Sequence, residues 1–447
     1  MTIKKLISSI KGELLNNAKL HYKIKGISCD TRTMIKGDVF FALKGTNDGH
    51  DYILDALKIG AAAIIVEIDV EIDTKVPIIM VNNTYDALFD LAVYYRDKYP
   101  VFTIAVTGSV GKTTTKELIS EILSIKYNVL KSNGNQNNHL GLPFTMFKLN
   151  SSYDFMVTEL GMNHQGEINR LSNLCKPKIG VITNIGTSHI GLLGSQKNIY
   201  KAKMEITGGI DDGILIVNGD DKYLRKVKSK KNYDVYKVGV GHNNHLYAYE
   251  IDCNIDSSTF RVMIDNEEHI INFPVPGRHL INDVLIAIMI GITFEIDIDK
   301  IKEVISNYKT INGRLNVIRK DDLTIIDDCY NASFESIKGA VELLQLSSNN
   351  KVLILGDVLE LGKYSEDIHK KIAKFLKGKD IEVILVGNAT KITHYELKNS
   401  KHFLNNDRLM EYLKDYDTND KTILIKGSRR MHLEEIKDYL INKKSTL

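Results

Sequence analysis

The run Thr107-Gly108-Ser109-Val110-Gly111-Lys112-Thr113-Thr114-Thr115 carries the sharpest chemical signal in the chain. It sets two glycines, a lysine and several hydroxyls between an apolar run at 101–106 and a helical pattern through Leu118, Ile119, Ile122 and Leu123. Glycines let backbone N–H groups approach phosphate oxygens closely. A helix that opens there adds a favourable dipole. Lys112 supplies a point charge for phosphates and Thr113 a hydroxyl for magnesium. Thr107, Gly108, Ser109, Val110, Gly111, Lys112, Thr113 and Thr114 are thus the expected phosphate contacts, with Mg2+ expected beside them. The strict pattern has glycine at position 106, where this chain has Val106.

Other candidates are weaker singly. Glu159 lies near the end of the apolar run 155–160. A carboxylate at the tip of a buried strand beside a phosphate loop suits magnesium, and a loop cap is the ordinary alternative. His189 follows the run 180–184, and a lone histidine is more often structural. Lys203, in Ala202-Lys203-Met204-Glu205, reads alone as a solvated lysine. Asp327 and Asp328 fit a turn as well as a nucleotide contact. His279, Arg314 and Asn331 say little in isolation.

These residues need elements to position them. Short apolar runs at 38–43 and 61–66, with a helical pattern at 53–60 ending in Gly60, read as a small α/β unit. Strand-like runs at 101–106, 155–160, 180–184 and 214–218 alternate with helical patterns. That arrangement predicts a mostly parallel sheet covered on both faces. Residues 247–273 alternate polar and apolar in places, as an antiparallel insertion would. Runs at 323–327, 352–355, 383–386 and 422–425 repeat the α/β logic, with Gly356, Gly387 and Gly427 just after three of them. This predicts a second doubly wound unit with its ligand crevice at the carboxyl ends of its strands. The expected units are 1–99, 100–312 and 313–447.

Composition bounds the answer. The 447 residues carry 59 basic and 56 acidic side chains, a formal charge of +3, too balanced to argue for a nucleic-acid partner. Cys29, Cys175, Cys253 and Cys329 form no CxxC pair, so neither a zinc knuckle nor a disulfide framework is signalled. Residues 1–11 lack a signal-peptide core. The most apolar helical stretch, 280–294, contains Asn282 and Asp283 and is shorter than the ~20 residues a bilayer needs. No membrane insertion and a cytoplasmic location are expected.

Together the motifs resemble the Mur ligases over nearly the whole chain. The likeness runs through Asp30-Thr31-Arg32, residues 36–45, Asp48-Gly49-His50, the phosphate loop and Gly134-Asn135-Gln136-Asn137-Asn138. It continues through Glu159-Leu160-Gly161-Met162, Thr183-Asn184-Ile185-Gly186 with His189, and residues 202–206. Residues 327–332, residues 355–362 and Lys426-Gly427-Ser428-Arg429 complete it.

The resemblance implies a small UDP-sugar-binding α/β domain, a central phosphate-loop ATPase domain and a Rossmann-like third domain. It implies UDP-MurNAc-tripeptide and D-alanyl-D-alanine as substrates, joined through an acyl phosphate, and a monomer. Asp30, Thr31 and Arg32 would lie near the UDP; Asn137 and Asn138 would hold the muramoyl part. Thr113 and Glu159 would hold one magnesium, His189 and Lys203 a second, with Lys203 as a carbamate. Lys112, Lys203 and His189 would be catalytic, and Arg314 and Asp328 would reach the nucleotide. Leu280 and Asp283 stand where the family carries two asparagines. Two other readings stay open: another amino-acid-adding ligase of the family, and a non-catalytic relative that binds UDP-sugar or nucleotide.

Overall fold

The computed structural model of the chain describes residues 1–20, 22–134 and 136–443. Asn135 lies outside them. The described residues form three sheets. The first has five strands, in the order Glu13–Leu14, Ile78–Met80, Ala63–Val66, Asp38–Phe41 and Gly26–Ser28. All its neighbours are parallel except the first pair. Its two faces bury separate apolar clusters, one around Val39, Phe41 and Leu88, the other around Phe40, Ile53 and Ile64. Alternate residues of one strand feed opposite faces, as the strand period requires.

The second sheet has nine strands. At its heart Phe102–Thr107 lies between Phe155–Glu159 and Ile179–Ile182, parallel to both. The strands that follow in sequence lie on both sides of this first one. The order therefore reverses at Phe102–Thr107, and a crevice opens beyond its carboxyl end. Beyond Ile179–Ile182 come Gly213–Asn218 and Tyr233–Gly239, and then Leu246–Cys253, Ser258–Ile264 and Glu267–Phe273. The last three pair antiparallel, as the alternating pattern at 247–273 predicts.

Helix Lys112–Leu123 leaves the crevice and packs against helix Ile281–Thr293. The second helix is buried almost all round, from Ile281 to Gly291 except Asn282. That explains its apolar composition: it is a core helix, and no helix among the described residues is long and apolar enough to cross a membrane.

The third sheet has six strands, ordered Asn316–Lys320, Leu323–Asp328, Lys421–Lys426, Asn350–Gly356, Glu382–Val386 and Ser400–Phe403. Only its first pair is antiparallel. One apolar core runs from the second sheet through helix Ile281–Thr293 into Ile337, Ala340, Val341 and Leu361. The second and third sheets are thus docked through shared apolar packing.

Candidate active site

The phosphate loop owes its shape to its glycines. Gly108 and Gly111 have φ of +157° and +86°. A Cβ on Gly111 would lie 2.5 Å from Asp283 Oδ1, so backbone and carboxylate meet closely there. The N–H groups of Ser109 and Val110 both donate to Asn184 Oδ1, at 3.0 and 2.9 Å. Two amides converging on one oxygen form the kind of nest that holds anions. Lys112 Nζ donates to Gly108 O at 2.8 Å. Burial lowers the Lys112 pKa, Glu159 opposes that shift and Arg314 adds to it.

The loop opens onto a cavity of about 330 Å3. Its walls include Ser109, Val110, Gly111, Lys112, Thr113, Thr114, Asn137, Asn138, Glu159, His189 and Lys203 from the central unit. Arg314 and Asp328 face the same space from the third unit. Thr107 and Gly108 do not line it; Thr107 Oγ1 donates to Leu160 O at 2.8 Å and ties two strand ends together. Asp30, Thr31 and Arg32 do not line it either. They sit on the first unit, where Arg32 pairs with Asp30 at 2.7 Å.

Glu159 is the last residue of its strand and is 1% exposed. Its Oε1 has no hydrogen-bond partner among the described residues. Lys116 Nζ stands 3.8 Å from that oxygen, while donating to Ser132 O at 2.6 Å and pairing with Glu117 at 2.8 Å. A buried carboxylate oxygen without a hydrogen bond costs free energy, and a closer cation would offset that cost. With Thr113 on the same cavity wall, the pair offers hard oxygen ligands of the kind magnesium takes. No group of three His, Cys, Asp or Glu side chains converges as a metal cage among the described residues. A magnesium ion here would keep water and phosphate ligands.

Lys203 closes helix Gln196–Met204 and is 2% exposed. Burial, and then the charge of Lys112, press its pKa well below the ordinary lysine range. Such an amine is neutral enough to act as a nucleophile. His189 has φ of +63°, and its Nδ1 lies 3.0 Å from Glu360 Oε2 of the third unit. Asn137 Nδ2 reaches Glu159 Oε2 at 3.4 Å. Asn138 Oδ1 instead caps helix Gly141–Met146, accepting from Leu140 and Gly141.

From the third unit, Arg314 stacks over the Tyr330 ring at 4.2 Å. Asp328 is ion-paired with Lys426, which also donates to Asn331 O at 3.0 Å. Lys426 is 1% exposed and lines the cavity, as do Tyr308 and His279. His279 is a weak candidate when read singly, and Lys426 and Tyr308 are not picked out by residue-by-residue reading. Lys426 has one signal: it directly follows the predicted strand run 422–425 and precedes Gly427, where ligand loops begin. Leu280 lines the cavity; Asp283 lies beneath Gly111, and its Oδ2 has no hydrogen-bond partner among the described residues.

Three family models match this chain: "Mur ligase family, catalytic domain" over residues 23–96, "Mur ligase middle domain" over 106–291, and "Mur ligase, glutamate ligase domain" over 313–429. A UDP-N-acetylmuramoyl-tripeptide–D-alanyl-D-alanine ligase from Rickettsia prowazekii is 36% identical over 92% of this chain and 94% of its own. The chain belongs to the Mur ligase family. Among solved Mur ligases, MurF from Acinetobacter baumannii superposes with a TM-score of 0.92 at 30% identity, covering 99% of both chains. MurF from Thermotoga maritima, in complex with ADP, gives 0.83 at 26% identity over 93% of this chain and 97% of that one.

Proposed function

We propose that this Mur ligase joins D-alanyl-D-alanine to UDP-MurNAc-tripeptide at the expense of ATP, yielding UDP-MurNAc-pentapeptide for peptidoglycan synthesis. One observation carries the reading: a phosphate loop, a buried carboxylate with an oxygen that lacks a hydrogen bond and side chains of the third unit face one cavity. The relative from Rickettsia prowazekii named for this reaction aligns over nearly the whole chain.

The tripeptide's terminal carboxylate attacks the γ-phosphorus and ADP leaves. The dipeptide amine attacks the acyl carbon, phosphate leaves, and the nitrogen gives up a proton. In the first step two anions must meet, so positive charge has to screen them. Lys112 meets that need from the central unit, and Arg314 and Lys426 line the same cavity from the third unit. Magnesium, held by Thr113 and Glu159 and again by His189 and Lys203, would add screening. Carbamylation of Lys203 fits this set, because a carbamate offers anionic oxygen where an ammonium would repel a dication. Arg314 and Asp328 would meet the nucleotide. Asp30, Thr31 and Arg32 would grip the UDP and Asn137 the muramoyl part, with Asn138 shaping the same loop. The three sheets are read as the units 1–99, 100–312 and 313–447, working as a cytoplasmic monomer.

The test mixes purified protein with ATP, magnesium, UDP-MurNAc-tripeptide and D-alanyl-D-alanine, and weighs the products by mass spectrometry. A pentapeptide with matching phosphate release supports the reading. Binding of ATP and UDP-sugar without product would overturn it in favour of another amine substrate or a non-catalytic binder.

A further inference from the structure

We propose that Glu335 is a positioning residue: it ties docking of the third unit to the shape of the phosphate loop through the turn 184–189. The proposal rests on the ligase reading above. Glu335 lies in the first turn of helix Phe334–Leu344, whose start is fixed by Ser333 and Ser336 in a reciprocal cap. Its Oε2 accepts the Thr187 N–H at 3.0 Å and the Thr187 hydroxyl at 2.8 Å. Those partners are 148 residues apart in sequence and on different sheets' units. A carboxylate acceptor makes such bonds stronger than neutral ones.

The other side of the same turn carries the loop. Gly186 N–H donates to Ser109 Oγ at 2.8 Å. A Cβ on Gly186 would stand 2.9 Å from Glu335 Oε2 and 3.1 Å from Ser109 Cβ. The third unit and the phosphate loop therefore meet across a residue with no side chain. Asn184 takes the Ser109 and Val110 amides at the start of the turn, and His189 faces Glu360 at its end. Two carboxylates of the third unit thus clamp one face of a turn whose other face braces the loop. If the third unit lifts, Thr187 is released, and the turn that holds Ser109 through Gly186 loses its outer support. Phosphoryl transfer needs in-line alignment, so a slack loop slows the step.

Wild type is compared with Glu335→Gln, Glu335→Ala, Thr187→Val and the Glu335→Ala/Thr187→Val double variant. The readouts are kcat and KM for pentapeptide formation, and hydrogen exchange of the Thr187 amide. Glu335→Gln keeps an acceptor oxygen and is expected within about threefold of wild-type kcat. Glu335→Ala is expected to lose about tenfold in kcat with KM for the UDP-substrate unchanged, and to expose the Thr187 amide to exchange. The double variant should be no slower than Glu335→Ala, because both changes cut one link.

Wild-type kcat in Glu335→Ala, a Gln variant as slow as the Ala variant, additive losses, or a still-protected amide would each overturn the proposal. Should Glu335→Ala fail to fold, Thr187→Val, which exchanges the hydroxyl for a methyl and keeps the backbone N–H, decides: a kcat loss of about threefold supports the link and none overturns it. Absence of product from wild type would count against the ligase reading, while the exchange data would still judge the link.

Discussion

Lys112 shows how much one ammonium can carry. It is bonded to Gly108 O and sits in a cavity where burial works against its charge. A preorganised cation at developing negative charge is worth on the order of 3 kcal/mol, about a hundredfold in rate. Lys112→Ala should lose at least that in kcat, and near-normal turnover would remove the loop from the chemistry. Lys203 poses a different case, since burial disfavours its ammonium form. Lys203→Ala should lose most activity and regain part of it with added short carboxylic acids, whose oxygens can stand where a carbamate would. Full activity in that variant would take Lys203 out of the site. Asp283 is the third buried titrating group beside the loop. Burial raises its pKa well above the carboxylate range; Thr115 and Arg314 offset this only in part. The folded chain keeps the proton where the unfolded carboxyl, at about pH 4, has lost it. Stability from this group is therefore present at acid pH and falls as pH rises through that range. Asp283→Asn should raise Tm at pH 8 by roughly 2–4 °C for each kcal/mol recovered, with little gain at pH 4. An equal effect at both pH values would show that the carboxyl is not the cause.

At the scale of elements, the loop and the helix it opens depend on Gly111. Its φ of +86° suits no ordinary side chain, and a Cβ there would strike Asp283. Gly111→Ala should cost about 1–3 kcal/mol and weaken ATP binding far more than UDP-sugar binding. Calorimetry with each nucleotide separates the two, and equal losses would point to general unfolding. This element is legible in the sequence because all its parts are contiguous: strand, glycines, lysine, helix. So is helix Ile281–Thr293, whose apolar run at 284–292 reads as a core helix. The strands Val129–Lys131, Tyr233–Gly239 and Ser400–Phe403 are not. Tyr233–Gly239 mixes Asp234 and Lys237 with its apolar residues, and Ser400–Phe403 is a half-exposed edge. Asn316–Lys320 is hidden for the same reason, as an edge strand no more than half buried. Within the site, Lys426, Glu335 and Glu360 come to the central unit from more than a hundred residues away. Nothing in their local spacing says which strand will lie beside which.

Across the whole molecule, the contact between the second and third units is expected to weaken in acid. His279 packs against Gly339 of helix Phe334–Leu344, where an added Cβ would come within 2.6 Å of its ring. Burial, with the charge of Lys426 behind it, holds the imidazole down at about 4. An unfolded histidine titrates near 6.5. Between those values the unfolded chain binds a proton that the folded chain refuses. Stability is lost as pH falls from about 6.5 to about 4, by up to about 3 kcal/mol. The loss should appear first as parting of the two units, visible as an increased radius in small-angle scattering. His279→Gln should flatten both the Tm profile and the scattering change, and an unaltered profile would trace the acid sensitivity to another group.

The strand order of the third sheet reaches beyond the reaction, to how the chain is made. Lys421–Lys426 is the last of its strands in sequence, yet it lies in the middle, between Leu323–Asp328 and Asn350–Gly356. While the polypeptide emerges from a ribosome, those two strands wait with open edges until residue 426 arrives. An open apolar edge invites pairing with other chains. A frameshift or nonsense change between residues 404 and 420 would therefore leave two half-sheets that quality-control proteases can clear, and no shortened ligase with a partial grip on its substrates is expected to build up in the cell.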